Sequence, residues 1–423
     1  MNKVRILVFP SGSEIGLEIA AALGHSVHVE LHGASSRSDH GALAFSRHAR
    51  VPNIAAPDFD ASFSRLLAQW RIDLVFATHD SVQEYLAPRI TGWNSRLVNG
   101  DPDASRTARR KSATYALFDD KAWMPRRYAA HGCIDTWPVA VKPDRDQGGK
   151  GFRLVHAPAE LATALATTDE PVVCEYLPGE EATVDCFTDR HGRLLHVGPR
   201  SRERVAGGVA MCSRRMAADA ELRDIAGDIN QRLRLCGPWF FQVKRDLHGQ
   251  WKLLELSCRL SSSSALQRAA GVNLPLMAVQ DHMGRDLDVL DDPRVSRVER
   301  RLATTAVLEH DFDTACFDLD DTLLCDGIAN PSAMRLAYRL RQLRKRLVLL
   351  TRHPRDPLPA LAAAHIPATL FDQIVHLRQG EPKSAHVPAS SIFIDNHFPE
   401  RMEVAGNRGV PVFDVDALDL LFP

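Results

Sequence analysis

Residues 241–259 read FQVKRDLHGQWKLLELSCR. Two half-apolar runs flank His248-Gly249-Gln250, and a break of that composition reads as a hairpin turn. Folding the ribbon there brings Gln242 on one strand beside Glu255 on the next. Side-chain oxygens so placed suit Mg2+, which takes oxygen ligands and leaves room for phosphates. Arg259 follows closely enough to reach the same phosphates.

Upstream lies VKPDRDQGGKGF, 141–152, an apolar strand that ends in Lys142 and opens into a loop holding Gly148, Gly149 and Gly151. Glycines let backbone N–H groups turn inward over phosphate oxygens, and a lysine adds a point charge. Taken alone, the loop reads equally well as a mobile hairpin. VVCEYLPGEE, 172–181, sets an apolar strand before a Glu-Tyr-Leu edge and two further acids. Short runs alternate with helices through this region: PVAVKP, PVVCEYL, EATVDCFTD, LLHVGP, FFQVKRD and KLLELS, with HGR at 191–193 as a second hairpin turn. The pattern is α+β with antiparallel strands.

Over roughly residues 106–285 this order of motifs resembles an ATP-grasp ligase domain, of the kind found in carbamoyl-phosphate synthetase and D-alanine–D-alanine ligase. SSSSALQRAAGVNLP, 261–275, looks like the tail of such a domain. The resemblance implies ATP held between two α+β lobes. It makes Lys111 and Lys142 the phosphate-binding lysines and Gly148 to Gly151 the loop over the phosphates. Glu175, Tyr176 and Leu177 then line the adenine edge, and Glu181 falls on the ribose-binding acid. Gln242, Glu255 and position 257 fall on the metal edge. The family usually carries Glu-x-Asn-x-Arg there, whereas this chain has Glu255-Leu-Ser257-Cys-Arg259. Ser257 offers a shorter, neutral oxygen, which puts a second Mg2+ in question. The implied chemistry is carboxylate activation: a carboxylate takes the γ-phosphoryl group of ATP, and an amine then displaces phosphate. Arg202 and Arg204, in GPRSRERVAGG, read either as a grip on an anionic substrate or as a solvated basic loop.

Ahead of this region, VRILVF at 4–9, PSGSEIG and the helical GLEIAAAL make a β-turn-α opening. LVFAT, 74–78, is a further strand ending in His79 and Asp80. Residues 4–105 are similar to the Rossmann-like α/β domain that precedes ATP-grasp domains. SGSEIG lacks the glycine spacing of a dinucleotide fingerprint and reads as a tight turn packing a helix on a sheet.

Toward the other end, FDLDDTL, 317–323, places Asp318 and Asp320 two apart after an apolar strand. LVLLT ends in Thr351, then come Lys383 and IFIDN with Asp395 and Asn396. Strands CFDLD, LVLLT, IVHL, SIFID and VPVFDV alternate with helical stretches, a rhythm that makes a parallel sheet covered on both faces. This segment resembles a haloacid-dehalogenase-type (HAD) phosphatase. By that resemblance Asp318 is the nucleophile, Asp320 the general acid and base, and Thr351 and Lys383 hold the phosphoryl oxygens. Asp318 and Asp395 bind Mg2+, with Asp320 and Asn396 in the same ligand group. Many relatives carry a second acid near position 396, and Glu400 is a candidate substitute. About twenty-five residues separate Thr322 from LVLLT and about thirty separate Thr351 from Lys383, too few for a large cap domain.

Three domains are therefore expected, at 1–105, 106–310 and 311–423. The break falls after the polar DDPRVSRVERR, with TTAVLEH, 304–310, as a candidate last strand. The 423 residues have a net charge of −1, which gives no electrostatic case for nucleic acid or an anionic membrane. No apolar run approaches a membrane span, and the N-terminus reads as a strand rather than a signal peptide. Eight scattered cysteines point to a reduced, cytoplasmic setting, and no zinc site is expected. Only nine of the 52 basic residues are lysine, and Lys111, Lys142 and Lys383 are three of them. The leading expectation is a bifunctional enzyme using ATP and Mg2+, acting on a carboxylate, an amine and a phosphoester, in a family that often forms homodimers. Its rivals are a ligase whose C-terminal domain only docks or regulates, and an ATP-sensing binding protein.

Overall fold

The computed structural model describes residues 3–128, 133–145 and 149–421. They form two compact units, Met1–Arg301 and Leu302–Pro423. That division falls ahead of the expected break at 310.

The first unit opens with five parallel strands: β1 Val4–Phe9, β2 Val29–Ser35, β3 Arg47–Arg50, β4 Leu74–Ala77 and β5 Arg96–Leu97. They lie in the order β3-β2-β1-β4-β5, so the strand order reverses between β1 and β4. Alternation along β1 serves two faces at once. Val4, Ile6 and Val8 pack with Ile15, Ile19 and Leu23 of the helix Glu14–Leu23. Leu7 and Phe9 pack with Phe59, Phe63 and Trp70 of the helix Phe59–Trp70. The sequence signal was weak for β2 and β3, whose charged and histidine residues break the apolar run.

Three antiparallel sheets follow. One orders β6 Val139–Pro143, β7 Arg153–Val155 and β8 Pro171–Glu175 as β7-β6-β8. The helix Pro158–Ala166 covers it through Leu161 and Ala164. The main sheet uses β9 Glu181–Thr188 and β10 Leu194–Ser201, with β13 Gly237–Arg245 and β14 Trp251–Ser257, ordered β10-β9-β13-β14. Between β10 and β13 come β11 Arg204–Ala206 and β12 Val209–Arg214, which form a small sheet with β15 Arg297–Glu299. Both expected hairpin turns are present, with Gly192 and Gly249 at φ +79° and +78°. The helix Ala220–Arg232 turns Leu222, Ile225, Ala226 and Ile229 into the core around Trp239, Phe241 and Trp251. TTAVLEH forms no strand; β15, from the polar segment before it, pairs with β12 instead.

The second unit is a parallel sheet ordered β20-β19-β16-β21-β22. Its strands are β16 Thr314–Phe317, β19 Arg346–Thr351, β20 Gln373–His376, β21 Ser391–Ile394 and β22 Val412–Phe413. A two-stranded hairpin, β17 Leu324–Cys325 and β18 Ile328–Ala329, follows β16. Ala315, Phe317, Leu347, Leu349, Ile392 and Ile394 face one core, and Cys316, Val348, Leu350 and Phe393 the other. Apolar residues on both sides are what a sheet covered on two faces requires. No helix among the described residues is long and apolar enough to cross a membrane, and all eight cysteines are free thiols.

Candidate functional sites

In the first unit, Gln242 and Glu255 are direct cross-strand partners on β13 and β14. The register shifts between Gln242 and Val243, a bulge of the kind that re-aims side chains beside sites. Burial raises the Glu255 pKa, and the nearby Asp80 carboxylate adds to it, against Arg259, Lys111 and Arg202. Glu255 shares a small cavity with Asp80, Arg109, Lys111 and Tyr115. The Lys111 ammonium donates to the Pro143 carbonyl at 3.0 Å, and its backbone N–H donates to the Asp144 carbonyl at 3.1 Å. The start of the helix Lys111–Leu117 is thereby tied to the end of β6, next to Lys142.

Lys142 is 8% exposed, and its side chain makes no hydrogen bond or ion pair with the described residues. A buried cation normally has a counter-charge. Beyond it, Gly149 and Gly151 both sit at φ +73°, and a Cβ on Gly151 would lie 2.7 Å from Pro143 Cγ. Gly148 lies outside the described residues. On β8 and just past it, Glu175 Oε1 accepts from the Arg126 N–H at 2.8 Å, Leu177 is buried, and Tyr176 lies 5.9 Å under the Lys244 ammonium.

The two candidate arginines part company. Arg202 Nε lies 2.6 Å from Glu181 Oε1, and the Arg202 fork also donates to the Gly208 carbonyl at 3.0 Å. Arg202 is mostly buried, which lowers its pKa against the pull of Glu181. Arg204 is exposed on β11 and pairs with Glu299 at 2.9 Å, so it does not join that cluster.

The metal-edge serine and arginine meet a residue to which the sequence assigned no role. Ser257 donates to Asp80 Oδ1 at 2.5 Å, and Arg259 Nη2 donates to Asp80 Oδ2 at 2.6 Å. Asp80 stands just past β4, at the reversal of strand order where open α/β sheets bind ligands. That position was the available signal. Its neighbour His79 has a pKa lowered by burial; Asp80 opposes this, and Arg259, Arg109 and Lys150 reinforce it. Gln242 and Glu255 keep an oxygen pair that fits Mg2+. The Ser257 hydroxyl proton is committed to Asp80.

In the second unit, three adjacent parallel strands deliver their groups at one edge: Asp318 after β16, Thr351 at the end of β19 and Asp395 after β21. Lys383 Nζ lies 2.6 Å from both Asp318 Oδ1 and Asp395 Oδ2, with all three buried. Burial pushes Asp318 up to about 7, with Lys383 opposing and Asp395 adding. For Lys383, burial acts downward, but the two carboxylates outweigh it and its pKa rises. Asp320 is half-exposed and bonds His353 Nδ1 at 2.9 Å, a contact the sequence did not suggest. Thr351 Oγ1 accepts the His353 N–H at 3.0 Å. Asn396 Oδ1 accepts from Thr322 Oγ1 at 3.2 Å. Glu400 is paired with Arg352 at 2.9 Å and lies 3.7 Å from Lys383. The buried Asp318 and Asp395 carboxylates are oxygen ligands of the kind Mg2+ takes, whereas the Asn396 amide oxygen is engaged by Thr322.

Residues 167–305 match the family model described as "ATP-grasp in the biosynthetic pathway with Ter operon". Solved structures of similar fold include biotin carboxylase from Campylobacter jejuni, in complex with β-γ-ATP. It has a TM-score of 0.56 and 14% identity over 70% of this chain and 73% of that one. N5-carboxyaminoimidazole synthetase from Staphylococcus aureus, with ADP, has a TM-score of 0.56 and 13% identity over 69% and 80%. The L-amino acid ligase from Bacillus licheniformis has a TM-score of 0.54 and 15% identity over 68% and 75%. Residues 167–305 are thus similar to an ATP-grasp family model, and the likeness to the solved structures is one of fold.

Proposed function

We propose that this chain is an ATP-dependent ligase that joins a carboxylate to an amine, and that Leu302–Pro423 removes phosphate from a phosphoester of the same reaction sequence. The observation that carries the first part is Lys142: a largely buried lysine that no carboxylate among the described residues pairs, beside a loop of positive-φ glycines. Polyphosphate supplies that missing charge. The neighbours crystallised with adenine nucleotides support the same reading.

In this reading Lys111 and Lys142 bind the phosphates under Gly149 and Gly151. Glu175, Tyr176 and Leu177 border adenine, and Glu181 receives the ribose. Gln242 and Glu255 hold Mg2+, which when bound neutralises phosphate charge. A substrate carboxylate oxygen attacks the γ-phosphorus, the bond to ADP breaks, and an acyl phosphate forms. The amine then attacks the acyl carbon, phosphate leaves, and the amine gives up a proton. Arg259 steadies the transferred phosphoryl group, and Arg202, held by Glu181, presents its guanidinium to an anionic substrate.

At the second site Asp318 attacks phosphorus and the ester oxygen leaves with a proton from Asp320. Water, deprotonated by Asp320, then releases phosphate from the aspartyl phosphate. Lys383 and Thr351 hold the phosphoryl oxygens. The clustering of Asp318, Lys383 and Asp395 supports this assignment. A second reading, in which this unit only docks or regulates, draws on Asn396, a neutral amide engaged by Thr322.

The test is ADP release from Mg·ATP across amino acids, sugar acids and amines, using the Asp318→Asn protein so that the second site adds no phosphate. Carboxylate-dependent ADP release that vanishes in Lys142→Ala is the expected result. Silence across the panel in a protein that binds ATP favours a binding module instead. Phosphate release from phosphoesters by the Lys142→Ala protein, lost on adding Asp318→Asn, is the matching expectation for the second site. Its absence with every ester favours the docking reading.

A further inference from the structure

We infer that Asp80, contributed by the N-terminal α/β sheet, is the positioning residue that aims Arg259 at the terminal phosphoryl group, and that Ser257 serves Asp80 rather than a second metal. The inference rests on the nucleotide site proposed above and deepens it.

Three observations converge. One carboxylate takes both polar side chains at the end of β14, Ser257 at 2.5 Å and Arg259 at 2.6 Å. Both contacts are well removed from bulk water: Ser257 is 1% exposed and Asp80 9%. Charge-assisted hydrogen bonds in such surroundings fix orientation strongly. The Arg259 fork is also only partly spent. Its Nη2 goes to Asp80 and its Nη1 to the Leu260 carbonyl at 3.2 Å, while its buried Nε has no partner among the described residues. A guanidinium held at two corners with an unsatisfied donor at the third is set for an anion.

The departure at position 257 then has a physical reason. A hydroxyl is short enough to fit under the Asp80 carboxylate and donate to it. An asparagine there would carry a longer side chain and a second donor into a space that Asp80 and Arg259 already fill. Glu255 feels the Asp80 charge as well, so the carboxylate acts on the whole edge.

The experiment measures ADP and AMP-PNP binding by calorimetry in Mg2+, with full-length Asp80→Ala, Asp80→Asn, Arg259→Ala, the Asp80→Ala/Arg259→Ala double variant and Lys142→Ala. Asp80→Ala is expected to weaken AMP-PNP about tenfold, as loss of a charged hydrogen bond does, while ADP changes less than about twofold. Asp80→Asn keeps the volume and an acceptor for Ser257, and guards against a folding defect. It should show the same selective loss while the protein stays folded by circular dichroism. Adding Asp80→Ala to Arg259→Ala should cost nothing further, because the two act as one unit. An undiminished Asp80 effect without Arg259 overturns the inference, as does equal weakening of both nucleotides. Wild-type AMP-PNP affinity in Asp80→Ala, with binding lost in Lys142→Ala, overturns it and leaves the nucleotide site standing. Unchanged nucleotide binding in Lys142→Ala overturns both.

Discussion

Arg200 and Asp185 are each 1% exposed and meet at 2.8 Å. Ser213, Ser261 and Gln267 surround the pair: Ser213 receives Arg200 Nη1 at 3.3 Å, Ser261 donates to Asp185 Oδ1 at 2.5 Å and receives Arg200 Nη2 at 3.0 Å, and Gln267 donates to Asp185 Oδ2 at 3.3 Å. Removing one partner strands the other charge in the interior. Arg200→Ala should therefore lower stability by about 3–5 kcal/mol, read by urea denaturation. Asp318 poses the opposite problem. Its folded-state pKa lies at about 7, above its ordinary range. A raised carboxylate pKa means the folded state holds the proton more tightly, so that stability is present at low pH and lost as pH rises through 7. In EDTA, Asp318→Asn should gain on wild type in melting midpoint between pH 5 and 8. A constant difference across that range would contradict the assignment. Mg2+ should narrow the gap by supplying the positive charge that the ionised carboxylate needs.

At the level of elements, the loop between β6 and β7 depends on glycine conformation. Gly151 sits at φ +73°, where a Cβ is strained and would also press on Pro143. Gly151→Ala should cost about 1–2 kcal/mol locally and weaken ATP binding severalfold, with the core untouched. Equal ATP affinity in the variant would remove this loop from the nucleotide site. The β13–β14 hairpin was legible because its turn and its alternation are local. Its bulge was not, since a bulge is defined by two residues opposing one on the partner strand, and the pairing is not written in either strand alone. The edge strand β15 was missed for a related reason. Arg297-Val298-Glu299 has a single apolar residue, and only the free edge of β12 makes it a strand.

The whole molecule is two units, each with its own cores. Separate cores predict separable cooperative transitions. Calorimetry of the full chain should show Arg200→Ala shifting one transition and Asp318→Asn the other. A single transition moved by both variants would mean the units unfold as one.

Local chemistry in the sequence determined β1, β4, the main strands of the second unit and the two hairpin turns. These follow from apolar runs, from glycine at turns and from acids at strand ends, all readable within a few residues. Only the tertiary structure decided that Asp80 holds Ser257 and Arg259 across 177 and 179 residues. It alone placed Arg202 on Glu181 and left Arg204 on the surface, and it alone set Lys383 between two carboxylates. Periodicity specifies which face of an element is buried. Which charge lies opposite is fixed by how strands far apart in the chain come to share one sheet edge.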